Sequence, residues 1–549
     1  MKNKFVLITL AISACLSLTG CDFIMQFFNS EGGLFPFGGE SAQIPPRISD
    51  VPTPPPGDTN ANRASYIYGD VIDNSIYPMS CTPSVGKAKL LVIPVWFTNS
   101  GNYITKRDQV REDIESAYFG NEESTGWRSV KSYYEEESLG NLTIEGTVSE
   151  WYECGQDISY YTQDPASETS GAPKTSALVK KATDWYFTNH SSDKRTNYDQ
   201  DGDGYLDGVI LIYAAPDYDT LKKSDYDNLW AYCFWIQDPS VQKPSKPGVN
   251  VFFWASYDFI YGSNNALSRT GKNFHAGDTN HCILDAHTYI HETGHMFGLE
   301  DYYDYSSHKY QPAGAFSMQD HNIGGHDPFS SFALGWGKAY VPIETTTIDL
   351  KPFSTSGEMI ILTPSWNSYN SPFDEYLILE YYTPQGLNQL DCTYKYMSTS
   401  GKDYPIGPVE YGIRVWHVDA RLLYTTTGDW SANKTTTNPK YSSGRVALMM
   451  SNTYAGGGSD SYISLLGTSY ANYNLLQLIR NNTTSTYKPS KTDFFNSGSL
   501  FKATDTFTMS KVSRQFVNGT KLNSNLELGF NFTVNACNNN YASISVTKL

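Results

Sequence analysis

The chain has 549 residues, with 57 acidic side chains against 40 basic ones and a formal net charge of −17. A balance this acidic excludes nucleic acid as a natural partner. The length is ample for two domains with real cores, and 41 tyrosines with only 18% charged residues suit an extracellular protein rich in strands and loops.

The N-terminus places Lys2 and Lys4 before an apolar run over residues 5–18, followed by Leu18-Thr19-Gly20-Cys21. This is an export signal, and small residues directly before a cysteine read as a lipobox in which Cys21 is lipidated and becomes the first residue of the mature protein. The apolar run is too short for a permanent membrane span, so the expected anchor is acyl chains. Loss of the two leader lysines leaves the remainder more negative by two. Residues 1–21 are therefore read as a lipoprotein signal and residues 22–66, with Phe35-Pro36-Phe37 and Pro54-Pro55-Pro56, as a flexible tether. The expected location is the bacterial cell envelope, facing outward.

From residue 67 to 344 strands and helices mix. Residues 88–97 read as a buried strand, 107–118 and 130–137 as helices, 142–148 as a strand, 175–188 as a helix and 208–214 as a second buried strand. Ahead of that last strand stands Asp199-Gln200-Asp201-Gly202-Asp203-Gly204-Tyr205-Leu206-Asp207. Alternate carboxylates in a glycine-bearing turn converge on one hard cation, so calcium is expected on Asp199, Asp201, Asp203 and Asp207 with the Tyr205 carbonyl. Ile210 stands where an EF-hand has its twelfth-position glutamate, and the flanking element is a strand. The loop is thus no complete EF-hand, and its expected role is to fasten the domain.

The most informative stretch is His291-Glu292-Thr293-Gly294-His295, continued by Met296-Phe297-Gly298-Leu299-Glu300-Asp301. Histidines four apart on a helix present both imidazoles to one tetrahedral ion, and Glu292 projects beside it. A straight helix would carry Asp301 roughly 15 Å along the axis from His291. Gly298 tolerates the left-handed conformation that ends the helix and turns the chain back, so Asp301 becomes the third zinc ligand. Asp304 is the rival for that place, and His287, one turn upstream, reads as a supporting residue. Zinc would activate a water for attack on a peptide carbonyl, with Glu292 as general base. Met318 is expected as the floor beneath the zinc. His321, His326, Tyr302, Tyr303 and Tyr305 are candidates to hydrogen-bond the oxyanion.

Of the cysteines beyond the lipobox, Cys81, Cys154, Cys233, Cys282, Cys392 and Cys537 show no zinc-knuckle spacing and read as structural or free. From about residue 345 to 549 short alternating strands take over, among them residues 358–362, 376–381 and 412–419. This predicts an all-β, sandwich-like domain. His417 and Asp419 share one face of a strand, where a packed histidine is favoured over a cation site.

Together these residues resemble the immune inhibitor A family of secreted bacterial zinc metallopeptidases. The carriers are Leu91-Val92-Ile93-Pro94-Val95, residues 132–140, the Asp-Gly-Asp-Gly-Tyr-Leu-Asp-Gly run at 201–208, the zinc motif through Asp304, the Met318 region and residues 412–419. The resemblance implies a metzincin-like α/β (α+β) catalytic domain holding zinc and calcium, followed by β-rich structure. It implies an endopeptidase, taken here to be monomeric, acting on extracellular protein or glycoprotein. The reading from a different class is a surface adhesin with a structural zinc domain, but such a site needs no general base beside an open coordination position.

Overall fold

The computed structural model describes residues 63–64 and most of residues 81–549. Residues 1–62, 65–80, 163–171, 262–283, 394–406, 437–444 and 453–471, with a few shorter stretches, lie outside the described residues. The export signal, lipobox and most of the tether fall among them. Within the described residues the fold mixes α and β, with several sheets and few helices.

The first sheet is organised by the strand Gly86–Trp96, flanked in parallel by Leu142–Val148 and Val209–Tyr213. Val251–Ser256 continues the parallel set, and Tyr232–Trp235 closes the edge antiparallel. The apolar run is continuous because both faces are covered. Ala88, Leu90 and Val92 enter one core, whereas Leu91, Ile93 and Val95 enter another. On the first face lie the helices Arg107–Phe119, Val130–Glu137 and His287–Met296, through Ile114, Tyr133, Tyr134, Tyr289 and Met296. On the second lies Ala172–Asn189, through Leu178, Val179, Ala182 and Tyr186. Helix Val130–Glu137 starts at a capping box in which the Ser129 and Ser132 side chains each accept the other's backbone N–H.

A second sheet runs in the order Arg63–Ala64, Lys338–Tyr340, Glu358–Leu362, Glu375–Tyr382, Gly412–Asp419, Leu476–Ile479. Only Lys338–Tyr340 and Glu358–Leu362 pair in parallel. Period-2 alternation divides these strands between two cores. Met359, Ile361, Ile378, Trp416 and Leu478 pack with the metal-motif helix and its surroundings. Ile360, Leu362, Leu377, Leu379, Val415 and Ile479 pack with a four-stranded sheet of Thr506–Phe507, Phe530–Cys537, Ala542–Lys548 and Thr346–Leu350. The expected boundary at 344/345 falls just after a strand that belongs to this second sheet. The C-terminal half also carries two short helices, Phe353–Ser356 and Asn388–Thr393, where an all-β domain was expected. A three-stranded sheet, Leu422–Thr426 with Asp429–Thr436 and Arg445–Leu448, stands apart.

Charges buried in the second sheet are paired. Glu380 accepts from Arg414 Nε at 2.9 Å and from Trp416 Nε1 at 2.8 Å. His417 Nε2 meets Glu375 Oε1 at 2.8 Å, while Asp419 holds Arg421 through two contacts of 2.6 and 2.8 Å. Arg421 Nε also lies 3.8 Å from Glu375 Oε2, so His417 and Asp419 belong to one ion-pair network and are not among the candidate metal-holding groups of the described residues. Cys154, Cys233, Cys392 and Cys537 are free thiols, and Cys282 lies outside the described residues. Among the described residues no helix is long and apolar enough to cross a membrane.

Candidate metal centre

Helix His287–Met296 lies against the first sheet through Tyr289, Ile290 and Met296, which leaves His291 and His295 on the opposite flank. Its end is a Schellman motif: Leu299 N–H donates to the Gly294 carbonyl at 3.2 Å and Gly298 N–H to the His295 carbonyl at 2.8 Å. Gly298 sits at φ +94°, the left-handed region that glycine alone occupies without strain. The reversal delivers Asp301 to the histidines. Asp301 Oδ1 is 2.9 Å from His291 Nε2 and 3.3 Å from His295 Nε2, and the two Nε2 atoms are 3.2 Å apart.

The other ring nitrogens decide what those three atoms can do. His291 Nδ1 donates to the Met318 carbonyl and His295 Nδ1 to the Leu299 carbonyl, each at 2.7 Å. A carbonyl only accepts, so both protons of the neutral rings sit on Nδ1 and both Nε2 lone pairs face each other and a carboxylate. Facing lone pairs repel unless a cation lies among them. Their separations match the edges, about 3.3 Å, of a tetrahedron around an ion with bonds of about 2.0–2.1 Å to nitrogen. The residues therefore fit a metal held by His291, His295 and Asp301, which form one of two candidate metal-holding groups among the described residues.

The electrostatics point the same way. Burial draws the histidine pKa values down, but the Asp301 carboxylate outweighs it, raising His291 and bringing His295 to about 9. Burial pushes Asp301 up, but the two imidazoles beside it hold its carboxyl well below the usual range. The pocket wants positive charge. Glu292 is buried on the same helix, and its charge also favours cationic histidines.

The residues expected around the ligands take several different places. Asp304 is buried but outside the ligand group, and His287 Nε2 donates to the Asn322 carbonyl at 2.7 Å. Met318 is buried, and its carbonyl is what fixes the His291 ring. His326 is enclosed by Tyr133, Tyr134 and Trp336, and its Nδ1 donates to the Tyr133 hydroxyl at 3.0 Å. Burial, with the charges of His291 and His295, pushes it down to about 3, so it stays neutral. The Tyr302 hydroxyl is engaged with Ser330 Oγ at 2.8 Å, Tyr303 is half-buried, and His321 and Tyr305 lie outside the described residues. One residue went unnoticed in the sequence: Gln319, whose amide lies 3.3 Å from His295 Nδ1. A Cβ at Gly294 would overlap that amide, which explains the glycine inside the motif. The only sequence hint was that glycine, out of place in a helix.

Residues 96–325 match the catalytic domain described as immune inhibitor A peptidase M6. This segment of the chain is similar to that family's catalytic domain. A curated relative, immune inhibitor A of Bacillus thuringiensis subsp. alesti, is 25% identical over 267 residues, an alignment covering 43% of this chain and 36% of that protein. The chain thus matches about a third of that relative's length. A solved structure, catalytically inactive OgpA from Akkermansia muciniphila in complex with an O-glycopeptide (glycodrosocin) substrate, aligns over 67% of this chain and 94% of its own at 10% identity. Its TM-score of 0.19 is too low to bear on this fold. The M6 match ends directly before His326, so it includes the metal motif and the acidic loop. It supports a metallopeptidase reading, and His291, His295 and Asp301 are the residues that fit a metal.

The acidic loop forms the second candidate group, through Asp199, Asp201 and Asp207. Gly202 and Gly204 take φ of +76° and +90° to fold it. Asp203 lies outside the group, and its Oδ1 accepts the Tyr205 N–H at 2.7 Å. Asp207 anchors the loop, accepting from Lys89 N–H at 2.6 Å and Gln200 N–H at 2.8 Å. Burial, then neighbouring carboxylates, push Asp201 up to about 7 and Asp207 to about 8.

Proposed function

We propose that this chain is a cell-surface, zinc-dependent endopeptidase of metzincin-like design that hydrolyses peptide bonds of extracellular proteins, attached to the envelope by lipid on Cys21. The observation that carries the reading is the convergence of His291 Nε2, His295 Nε2 and Asp301 Oδ1 behind a helix stopped at Gly298. Three protein donors, rather than four, are the pattern of a catalytic site with an open position. Zinc there supplies a water of lowered pKa and polarises the substrate carbonyl. The Glu292 carboxylate accepts the proton of the attacking water and delivers it to the leaving amine. The Met318 and Leu299 carbonyls hold the two imidazoles in the tautomer that leaves Nε2 free to bind.

Labelled casein incubated with the purified protein, with metal assayed in parallel, tests this. The expected result is about one zinc per chain at the motif and cleavage that a chelator abolishes and added zinc restores. Zinc bound in full with no cleavage of casein or any other protein offered would overturn it.

The acidic loop is proposed to hold calcium on Asp199, Asp201 and Asp207, with Asp203 and the Tyr205 carbonyl as its further expected ligands, fastening the loop and doing no chemistry. Calcium then stabilises the fold by mass action. The pH dependence has a definite sign. Without a cation, carboxyls raised to about 7 and 8 bind protons in the folded state that the unfolded chain releases near 3.9. Stability from this loop therefore falls as pH rises from about 4 toward 8. The melting-temperature gain from millimolar calcium, read against a calcium-selective chelator, is accordingly larger at pH 8 than at pH 5. An equal gain at both would remove the loop as its source.

A further inference from the structure

The segment beside the metal helix within residues 318–327, described except at positions 321 and 323, is tied to the C-terminal half by a carboxylate. Asp391, in the short helix Asn388–Thr393, is buried. Its Oδ1 accepts the Gly324 N–H at 3.1 Å, and its Oδ2 accepts from Asn322 Nδ2 at 2.8 Å. The Gly407 N–H donates to the Asp391 carbonyl at 2.7 Å and fixes the residue from its own side. The contact is close enough that a methyl group at Gly324 would overlap the carboxylate, so the loop is shaped to receive it.

Two points of that loop touch the metal helix. Met318 supplies the carbonyl that orients His291, and Asn322, held by Asp391, supplies the carbonyl that takes the His287 Nε2 proton one turn earlier. The loop is thus laid along the helix face carrying His287 and His291. From the other side, the Tyr133 hydroxyl donates to the Gly324 carbonyl at 2.9 Å and Ser331 donates to Glu137 at 3.1 Å. Those contacts come from within the first half, whereas Asp391 lies 66 residues beyond the end of the matched peptidase domain at 325.

We propose that Asp391 is a positioning residue for the metal centre, holding Asn322 and Gly324 so that the Met318 and Asn322 carbonyls orient the imidazoles of the metal helix. The C-terminal half is then part of the catalytic unit rather than an appendage. Losing an outer hydrogen-bond partner of a metal ligand costs about 10–100-fold in metal affinity or activity. Asp391 acts one step further out, so the lower end applies.

This inference rests on the metallopeptidase reading, and the test is read in two independent ways on the full chain. Asp391→Ala is expected to lower kcat about ten-fold with KM nearly unchanged, and to weaken metal binding to a similar degree. The absorption spectrum of the cobalt-substituted protein should shift, because the His291 ring is no longer held. Gly324→Ala pushes the same contact apart from the loop side and should reproduce these effects. Asp391→Asn keeps one acceptor and should lie between. If Asp391→Ala does not fold, the other two variants carry the test. Folded Asp391→Ala or Gly324→Ala protein with wild-type metal affinity and cobalt spectrum, even at a lower melting temperature, would overturn the proposal. Should the wild type cleave nothing, the cobalt spectrum still decides the role of Asp391 separately from the peptidase reading.

Discussion

Glu292→Ala is expected to reduce peptide hydrolysis by about 10³–10⁴-fold while the protein stays folded and keeps its metal, because the proposed general base is lost and the proposed ligands are not. The side chain is buried on the helix that carries His291 and His295, yet it is absent from the group of converging donor atoms. Alanine is a good helix former, so the helix itself is not threatened. Removing a buried carboxylate next to the site also lowers the negative charge that attracts the ion, so a modest fall in affinity is compatible with the role. Metal content measured beside turnover separates the two effects. Wild-type turnover in the variant would eliminate Glu292 as the base, and loss of metal together with turnover would make it a ligand instead.

Asp301→Ala is expected to lose both metal and activity, by more than the about 10–100-fold that an outer partner is worth, whereas Asp304→Ala retains the metal. Among the described residues Asp301 is the carboxylate grouped with the two imidazoles, its oxygen 2.9 and 3.3 Å from their Nε2 atoms. Without it, two neutral histidines face each other with no anionic ligand to balance a divalent ion. Asp304 is equally buried but lies outside the ligand group, so its removal is felt in stability. Zinc titration of the two variants reads the difference directly. Metal retained by Asp301→Ala and lost by Asp304→Ala would reverse the assignment.

What could be read from the sequence followed from locality. The ligands lie within eleven residues, and helix periodicity plus the conformational freedom of Gly298 fix their meeting. The strands Gly86–Trp96, Leu142–Val148 and Gly412–Asp419 announced themselves by apolar runs or alternation, and helix Val130–Glu137 by its spacing. Contacts between distant segments leave no such signal. Asp391 reaches Asn322 across 69 positions, and no spacing rule connects a carboxylate in one short helix to a glycine loop. His326 looked chemically available because histidines near a metal motif often are, but its place among three aromatic rings follows from tertiary packing. His417 and Asp419 were correctly placed on one strand face, yet their partners Glu375 and Arg421 come from a neighbouring strand and a following turn. In the acidic loop the alternation of aspartates treated all as equivalent, while the backbone turns Asp203 toward the Tyr205 N–H.

The second sheet, apolar on both faces, bears on how a peptidase of the kind proposed would survive itself. A peptidase is the nearest target of its own copies, and two-domain proteins are usually nicked where an extended linker presents itself to a cleft. Here Lys338–Tyr340 is already a strand of the sheet that the following half completes, and Val341 and Pro342 just beyond it are buried. The exposed backbone at the junction is therefore confined to the short stretch around Glu344 and Thr345, ahead of strand Thr346–Leu350. A cut there would have to enter a segment bounded on both sides by paired strands.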